Sequence, residues 1–359
     1  MKLFDSVVEN INCGKQGLNQ GLSLGFNDLV EYIPNLQKET LYLVGGESGT
    51  GKSALVYNNF LYHPYDDWYA NHRSETNFKA FVFSMEMSKE IVMTKAICRK
   101  IWLDKHILVD VNYVLSRGKN RISQYIYDLV LETKAYYEEF EDNVTILGQT
   151  NPTGIRNTVL KYLTSNGQVL NKKLEIEENG EHKTIEVFDR YVPNKPQYVL
   201  LIIDHIALLK KEKGMNKKEV IDKMTEYLIA LRDMYKITPI VVQQLNRSIS
   251  SMDRVKHDRV EPMLSDFAES SDTVQAANYV LALFSPYRHQ IADYKGFNIN
   301  SLKNRFRSLS VLKTRDGEAD LIKGMAFLGE VGLIKELPKA DLMTAEHYSN
   351  IMGIKKYSN

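Results

Sequence analysis

The sequence predicts an α/β fold, a mainly parallel twisted sheet flanked by helices with antiparallel strands at the C-terminal side. Three observations predict it. Short apolar runs recur along the chain, separated by segments long enough for a helix, which is the pattern of crossover connections between parallel strands. A glycine-rich P-loop lies between the first run and a helical stretch. The last apolar runs are too closely spaced for crossover helices, so they pair antiparallel.

Residues 1–20 hold one short helical pattern, Leu3, Val7, Val8 and Ile11, followed by a glycine-rich stretch from Cys13 to Gly21. They read as a linker or docking arm ahead of the main domain, 21–337. Strands are expected at 41–44, 80–83, 144–147 and 199–203. The best helix follows the fourth run, where Val220, Met224, Tyr227, Leu228, Leu231 and Tyr235 recur at spacings of three and four. It leads into a fifth strand at Pro239. Runs at 279–284, 310–312 and 325–328 form the antiparallel side, and 338–359 are left as a tail. Two stretches look inserted. Between 166 and 196, alternating segments flank Asn179-Gly180, the strongest short hairpin signal. Residues 252–263 are polar and charged without periodicity and read as a mobile loop.

Composition narrows the class. Apolar residues make up 43% and charged residues 25%, which excludes disordered and fibrous chains. The 46 basic and 45 acidic side chains nearly cancel, so any polyanion site is local. Cys13 and Cys98 are too few for a disulfide framework or a cysteine-rich zinc site, which suits a reducing cytosol. There is neither a leader pattern nor a run of eighteen apolar residues, so a cytoplasmic location is expected.

Gly46, Glu47, Ser48, Gly49, Thr50, Gly51, Lys52 and Ser53 satisfy the P-loop pattern in full, with an apolar run before them and a helical stretch, 54–62, after. The glycines let backbone N–H groups turn inward around phosphates at a helix N-terminus. Lys52 is then the cation for the β- and γ-phosphates of ATP, and the Ser53 hydroxyl a ligand of Mg²⁺. Such a metal needs a second carboxylate from a neighbouring buried strand, and Asp204, closing the run 200–203, supplies it. Just past the second run stands Glu86, either a helix N-terminal charge beside Ser88 or the acid that handles an attacking water. Gln244 ends the fifth strand, as a loop cap or as a sensor of the γ-phosphate. Lys313 and Arg315 lie two residues apart on one strand face, a surface salt-bridge pair or an anion contact.

In order, the P-loop, the segment 84–88, Ile203-Asp204, Gln244-Leu-Asn-Arg247, the segment 265–270 and Lys313-Thr-Arg315 resemble the motifs of the DnaB family of replicative helicases, from about Gly21 to Leu337. The resemblance implies a RecA-like P-loop NTPase core and an ATP-hydrolysing DNA helicase of 5′–3′ polarity. It implies that Glu86 activates the water, that Gln244 senses the γ-phosphate, and that Lys313 and Arg315 reach a neighbouring subunit's ATP. A homo-oligomer, a hexamer in the family, follows. Single-stranded DNA and a primase or helicase loader are the implied partners. Where the family shows Arg-Glu-Ser-Gly in its DNA grip, this chain has Ala268-Glu269-Ser270-Ser271. Glu269 and Ser270 are therefore joined by Arg247, Arg254 and Lys256, with Arg259 nearby, as expected DNA contacts. Only residues 1–20 precede the motor, so the family's helical N-terminal collar is not expected here. Compact relatives of this type suit virus replication, with the host cytoplasm as location. A RecA-like recombination or regulatory ATPase, or an ATP-binding ring scaffold or loader, are the rival readings.

Overall fold

The computed structural model describes residues 3–178, 181–246, 254, 260–315 and 317–357. The parallel strands come first: β1 (Tyr42–Gly46), β2 (Asn77–Ser84) and β3 (Val144–Leu147). The inserted ribbon β4 (Gly167–Glu178) and β5 (Glu181–Pro193) precedes β6 (Gln197–Asp204), β7 (Thr238–Gln244) and β8 (Tyr279–Phe284). After a small pair, β9 (Asp293–Tyr294) and β10 (Phe297–Asn298), come β11 (Phe306–Thr314), β12 (Leu321–Leu328) and β13 (Leu333–Glu336). Among the described residues the main sheet has nine strands, ordered β13-β12-β11-β8-β1-β7-β6-β2-β3. Strands β1, β2, β3, β6, β7 and β8 run parallel, and β11, β12 and β13 extend the sheet antiparallel beyond β8.

The expected strands are all present, and β9, β10 and β13 are additions that their two to four residues had hidden. Along β1, Tyr42 and Val44 pack into one apolar layer and Leu43 into the other. Likewise Leu200 and Ile202 of β6 face one layer, Leu201 and Ile203 the second. That alternation, apolar on both faces, is what a sheet covered by helices on both sides requires.

The P-loop helix begins as α2 (Lys52–Tyr57) and runs past the expected end at 62 through a π turn (Asn58–Tyr62) into α3 (His63–Asn71). Two consecutive buried asparagines sit in the widened turn. Asn58 donates to the Ile334 carbonyl at 3.1 Å and Asn59 to that of Leu24 at 2.8 Å, which ties the helix to β13 and to the segment before β1. The helix after Glu86, α4 (Lys89–Lys105), is N-capped by Ser88. On the opposite face, the periodic helix Lys217–Tyr235 starts with an Asn216/Glu219 capping box.

The inserted ribbon pairs as expected, with its turn residues Asn179 and Gly180 outside the described residues. The C-terminal segment is fastened. It forms the helix Ala345–Met352, and the Tyr357 N–H then bonds the Leu108 carbonyl at 2.8 Å while Lys356 pairs with Asp110 at 2.7 Å. At the other terminus the expected helix is α1 (Leu3–Lys15), whose Leu3, Phe4, Val7 and Ile11 stay exposed. No helix among the described residues is long and apolar enough to cross a membrane.

One glycine holds the sheet to the segment that follows β7. A methyl group added at Gly45 would lie 2.3 Å from the buried Phe267 ring, so only hydrogen fits there. Gly45→Ala is expected to cost about 1–3 kcal/mol by overpacking, measured by urea unfolding; an unchanged midpoint would show that Phe267 can move aside freely.

Candidate nucleotide site at the parallel edge

Parallel strands deliver their C-terminal ends to one edge of a sheet, and the candidate residues gather there. Gly46 of β1 is in register with Gln244 of β7, and Ser84 of β2 with Asp204 of β6. Gly49 and Gly51 take φ of 73° and 104°, which the loop requires to bring its N–H groups round to the start of α2. Lys52 is buried, and its Nζ donates to the Glu47 carbonyl at 2.8 Å. Burial lowers its pKa, against the pull of the Glu86, Asp204 and Glu47 carboxylates.

Asp204 is 1% exposed, and among the described residues neither of its carboxylate oxygens has a hydrogen-bond partner. Burial raises its pKa and the Glu86 charge adds to this, while the nearby Ser53 and Tyr57 hydroxyls oppose it. A buried carboxylate with both oxygens unsatisfied, next to the P-loop serine, fits a hard divalent cation that takes oxygen ligands. Among the described residues no cluster of three or more His, Cys, Asp or Glu could hold a metal by itself. The donor set thus suits an ion that shares its ligands with a phosphate chain, as Mg²⁺ does.

Glu86, Gln244, Lys52, Ser53 and Asp204 line one cavity, so this part of the sequence-derived set converges. His205, which the sequence reading passed over, lines it too, with Nε2 3.0 Å from Glu86 Oε1. Burial lowers its pKa, opposed by Glu86.

Further supports were missed. Arg307 of β11 is fully buried, donates from Nε to the Thr50 carbonyl at 2.7 Å and stacks on Phe327 at 4.4 Å. Burial lowers its pKa to about 10. Arg288 donates to the Ser48 carbonyl, and His289 Nε2 lies 2.7 Å from Glu47. An arginine within strand β11 was the one local signal available; the other two lie in the short 3-10 helix Pro286–His289 and left none.

Lys313 and Arg315 do not join this cavity. Because β11 runs antiparallel to β8, Thr314 is level with Tyr279 and Tyr42, four residues or roughly 13 Å from the P-loop end of β1. Lys313 caps the helix Ser271–Ala276, donating to the Val274 and Gln275 carbonyls at 2.8 and 2.9 Å, and Arg315 reaches the Gln275 and Ala276 carbonyls at 3.5 Å. The two cations therefore share a face as expected, at the opposite edge of the sheet.

Most of the expected DNA contacts fall outside the residues whose side chains are described. Arg247, Lys256 and Arg259 lie outside the described residues, as does most of the expected loop 252–263. Glu269 and Ser270 fall in the 3-10 segment Leu264–Ser270, where the described side chains stop at Phe267. Arg254 departs from the expectation of an open polyanion contact. Its side chain is 13% exposed, pairs with buried Asp266 at 2.5 Å and donates to the Glu261 carbonyl at 2.6 Å, because a buried carboxylate binds a guanidinium more strongly than solvent does.

Sheet order, P-loop and strand-end carboxylate together define a RecA-like P-loop NTPase domain. The chain belongs to the DnaB-like helicase C-terminal domain family, whose model matches residues 21–335. It is 22% identical over 290 residues to the replicative DNA helicase DnaB of Helicobacter pylori, covering 80% of this chain and 48% of that protein. To a probable replicative DNA helicase of Trieres chinensis it is 24% identical over 305 residues, 84% of this chain and 54% of the other. The chain thus spans about half the length of the curated relatives it matches. Among solved structures, an ATPase domain superposes with a TM-score of 0.67 at 16% identity, covering 94% of this chain and 100% of that one. A DnaB-like replicative helicase studied for its interactions with primase gives 0.64 at 16% identity, covering 94% and 67%.

Asp204 supplies a stability test. A carboxyl whose pKa is raised on folding binds protons more tightly folded than unfolded, so its ionisation costs stability as pH rises above the unfolded value. Asp204→Asn is therefore expected to melt higher than the parent at pH 7 without nucleotide, by on the order of 1–3 kcal/mol, and to lose the Mg²⁺-dependent rise in Tm with ATP. Thermal unfolding with and without Mg²⁺ and ATP measures both; a lower Tm for the variant would contradict the unsatisfied carboxylate.

Proposed function

We propose that the chain is the motor of a ring-forming replicative DNA helicase, which binds ATP with Mg²⁺, hydrolyses it at subunit interfaces and translocates on single-stranded DNA to unwind duplex. One observation carries this reading: Lys52, Ser53, Glu86, Asp204 and Gln244 share a cavity, while Lys313 and Arg315 face away at the opposite edge. In this reading the two cations serve the triphosphate of a neighbouring copy, so the site is shared and the enzyme works as an oligomer.

In this reading the P-loop N–H groups and Lys52 hold the β- and γ-phosphates, Lys52 leaving the Glu47 carbonyl to do so. Ser53 and Asp204 would hold Mg²⁺, which would neutralise charge on the phosphate oxygens. Glu86 takes a proton from the attacking water as its oxygen bonds to the γ-phosphorus and the bond to ADP breaks. Gln244 senses the γ-phosphate. The strand end next to it is tied to the following segment, since the Asn246 N–H bonds the Asp266 carbonyl at 2.9 Å and Gln243 the Phe267 carbonyl at 3.3 Å. Arg247, Lys256, Glu269 and Ser270 remain the proposed DNA contacts, with Arg254 held to Asp266 between them in sequence. The exposed apolar side chains of α1 support a docking arm that packs on a neighbouring copy. A primase or a helicase loader is the proposed protein partner, the cytoplasm the proposed location and 5′–3′ the proposed polarity.

The test is ATPase rate with and without single-stranded DNA at two protein concentrations, with Arg315→Ala and Lys52→Ala variants. DNA should stimulate the rate, dilution should depress it, and Arg315→Ala should lose about 10³-fold. Mixing the two inactive variants should restore part of the rate, because some interfaces then join an intact Lys52 to an intact Arg315. Full activity in a monomer, or a normal rate for Arg315→Ala, would remove the shared site.

A further inference from the structure

The ladder between β2 and β6 continues to its last pair, Ser84 and Asp204, and closes with the Met85 N–H on the Asp204 carbonyl at 2.8 Å. Beyond it the chains part, and Glu86 and His205 leave from adjacent strand ends. Their side chains meet, with His205 Nε2 3.0 Å from Glu86 Oε1. An ionised carboxylate only accepts, so the hydrogen lies on Nε2 and His205 is the donor.

The two partners differ in freedom. The Glu86 side chain is 51% exposed and that of His205 10%. Left alone, an exposed glutamate samples several rotamers. Here a ring fixed by its burial holds one of its oxygens, and among the described residues no other side chain hydrogen-bonds to Glu86. We propose that His205 is a positioning residue, which holds the Glu86 carboxylate where it can take the proton of the attacking water. This rests on the water-activating role given to Glu86 under the proposed function. Among the described residues His205 makes no hydrogen bond to Lys52 or the P-loop, although it lines the same cavity, so its loss should disturb turnover more than nucleotide binding.

A partner that orients a reacting group is worth about 10–100-fold in rate, and a misplacement of about 1 Å costs on the order of 10²-fold. DNA-stimulated kcat of His205→Phe is therefore expected to fall about 10–100-fold with the KM for ATP little changed. His205→Gln carries an amide N–H to the place of Nε2 and should recover most of the rate. His205→Asn has the same polarity but ends one methylene short, and should stay as slow as the phenylalanine variant. In a Glu86→Gln background, His205→Phe should cause no additional loss.

Parent-like kcat in His205→Phe, or equal loss in the Gln and Asn variants, would overturn the positioning role. A proportional rise in KM for ATP would do the same, because it would mark a general disturbance of the site. If His205→Phe fails to fold, the Gln and Asn pair decides by itself. Should Glu86→Gln hydrolyse ATP at the parent rate, the role of Glu86 fails first; should it be inactive while His205→Phe is normal, only the positioning role is lost.

Discussion

Everything at the nucleotide edge depends on the registry of four parallel strands. Gly46 opposite Gln244, and Ser84 opposite Asp204, set the heights from which the P-loop, the segment around Glu86, the Asp204 carboxylate and the Gln244 amide leave the sheet. A shift of one residue in any ladder would turn the strand's apolar set over and bury a different half of it. The alternation of Leu200 and Ile202 against Leu201 and Ile203, each set locked into its own apolar layer, prevents such a shift. Hydrophobic patterning thus fixes the position of Asp204, a residue that gains nothing from its own burial and stays unsatisfied.

The antiparallel extension adds a second geometrical consequence. Strand β11 begins beside the P-loop, where Arg307 holds the Thr50 carbonyl, and ends at the far edge with Lys313 and Arg315. Six residues separate Arg307 from Lys313, or roughly 20 Å of strand. In the proposed ring, one continuous strand joins the support of a subunit's own phosphate loop to the cations offered to the next subunit. Antiparallel direction is what makes this possible, because a parallel strand in that place would end at the edge where Arg307 begins.

Most of the fold could be read from the sequence, because apolar alternation and spacing are local properties. The runs at 144–147 and 279–284 became strands with those bounds, and the P-loop, Glu86, Asp204 and Gln244 lie at strand ends as expected. What escaped depends on partners distant in the chain. Arg307 supports a carbonyl 257 residues away, and its place in a strand says only that it is buried, not what it holds. His205 looked like an ordinary residue after a strand-end acid until β2 and β6 placed Glu86 next to it. The π turn follows from two asparagines whose acceptors come from β13 and from the segment before β1. Arg254 was read by its charge alone, and charge does not reveal that Asp266 would be buried within reach.

The Asp266–Phe267 pair also explains how a signal at the nucleotide edge could leave it. Asp266 receives the Asn246 N–H on its carbonyl, and its carboxylate takes Arg254 and the Met263 N–H. Phe267 next to it lies against Gly45 and accepts from Gln243. Two neighbouring residues thereby join β1, β7, Arg254 and Met263 in a tightly packed unit. A close-packed interior transmits a displacement better than it absorbs one. Any movement of the Gln244 strand end must therefore be shared with the Asp266 segment, or break several buried hydrogen bonds at once. Coupling by contact requires two arrangements of one element that both sites can bias, and the segment held by Asp266 has the connections to be that element.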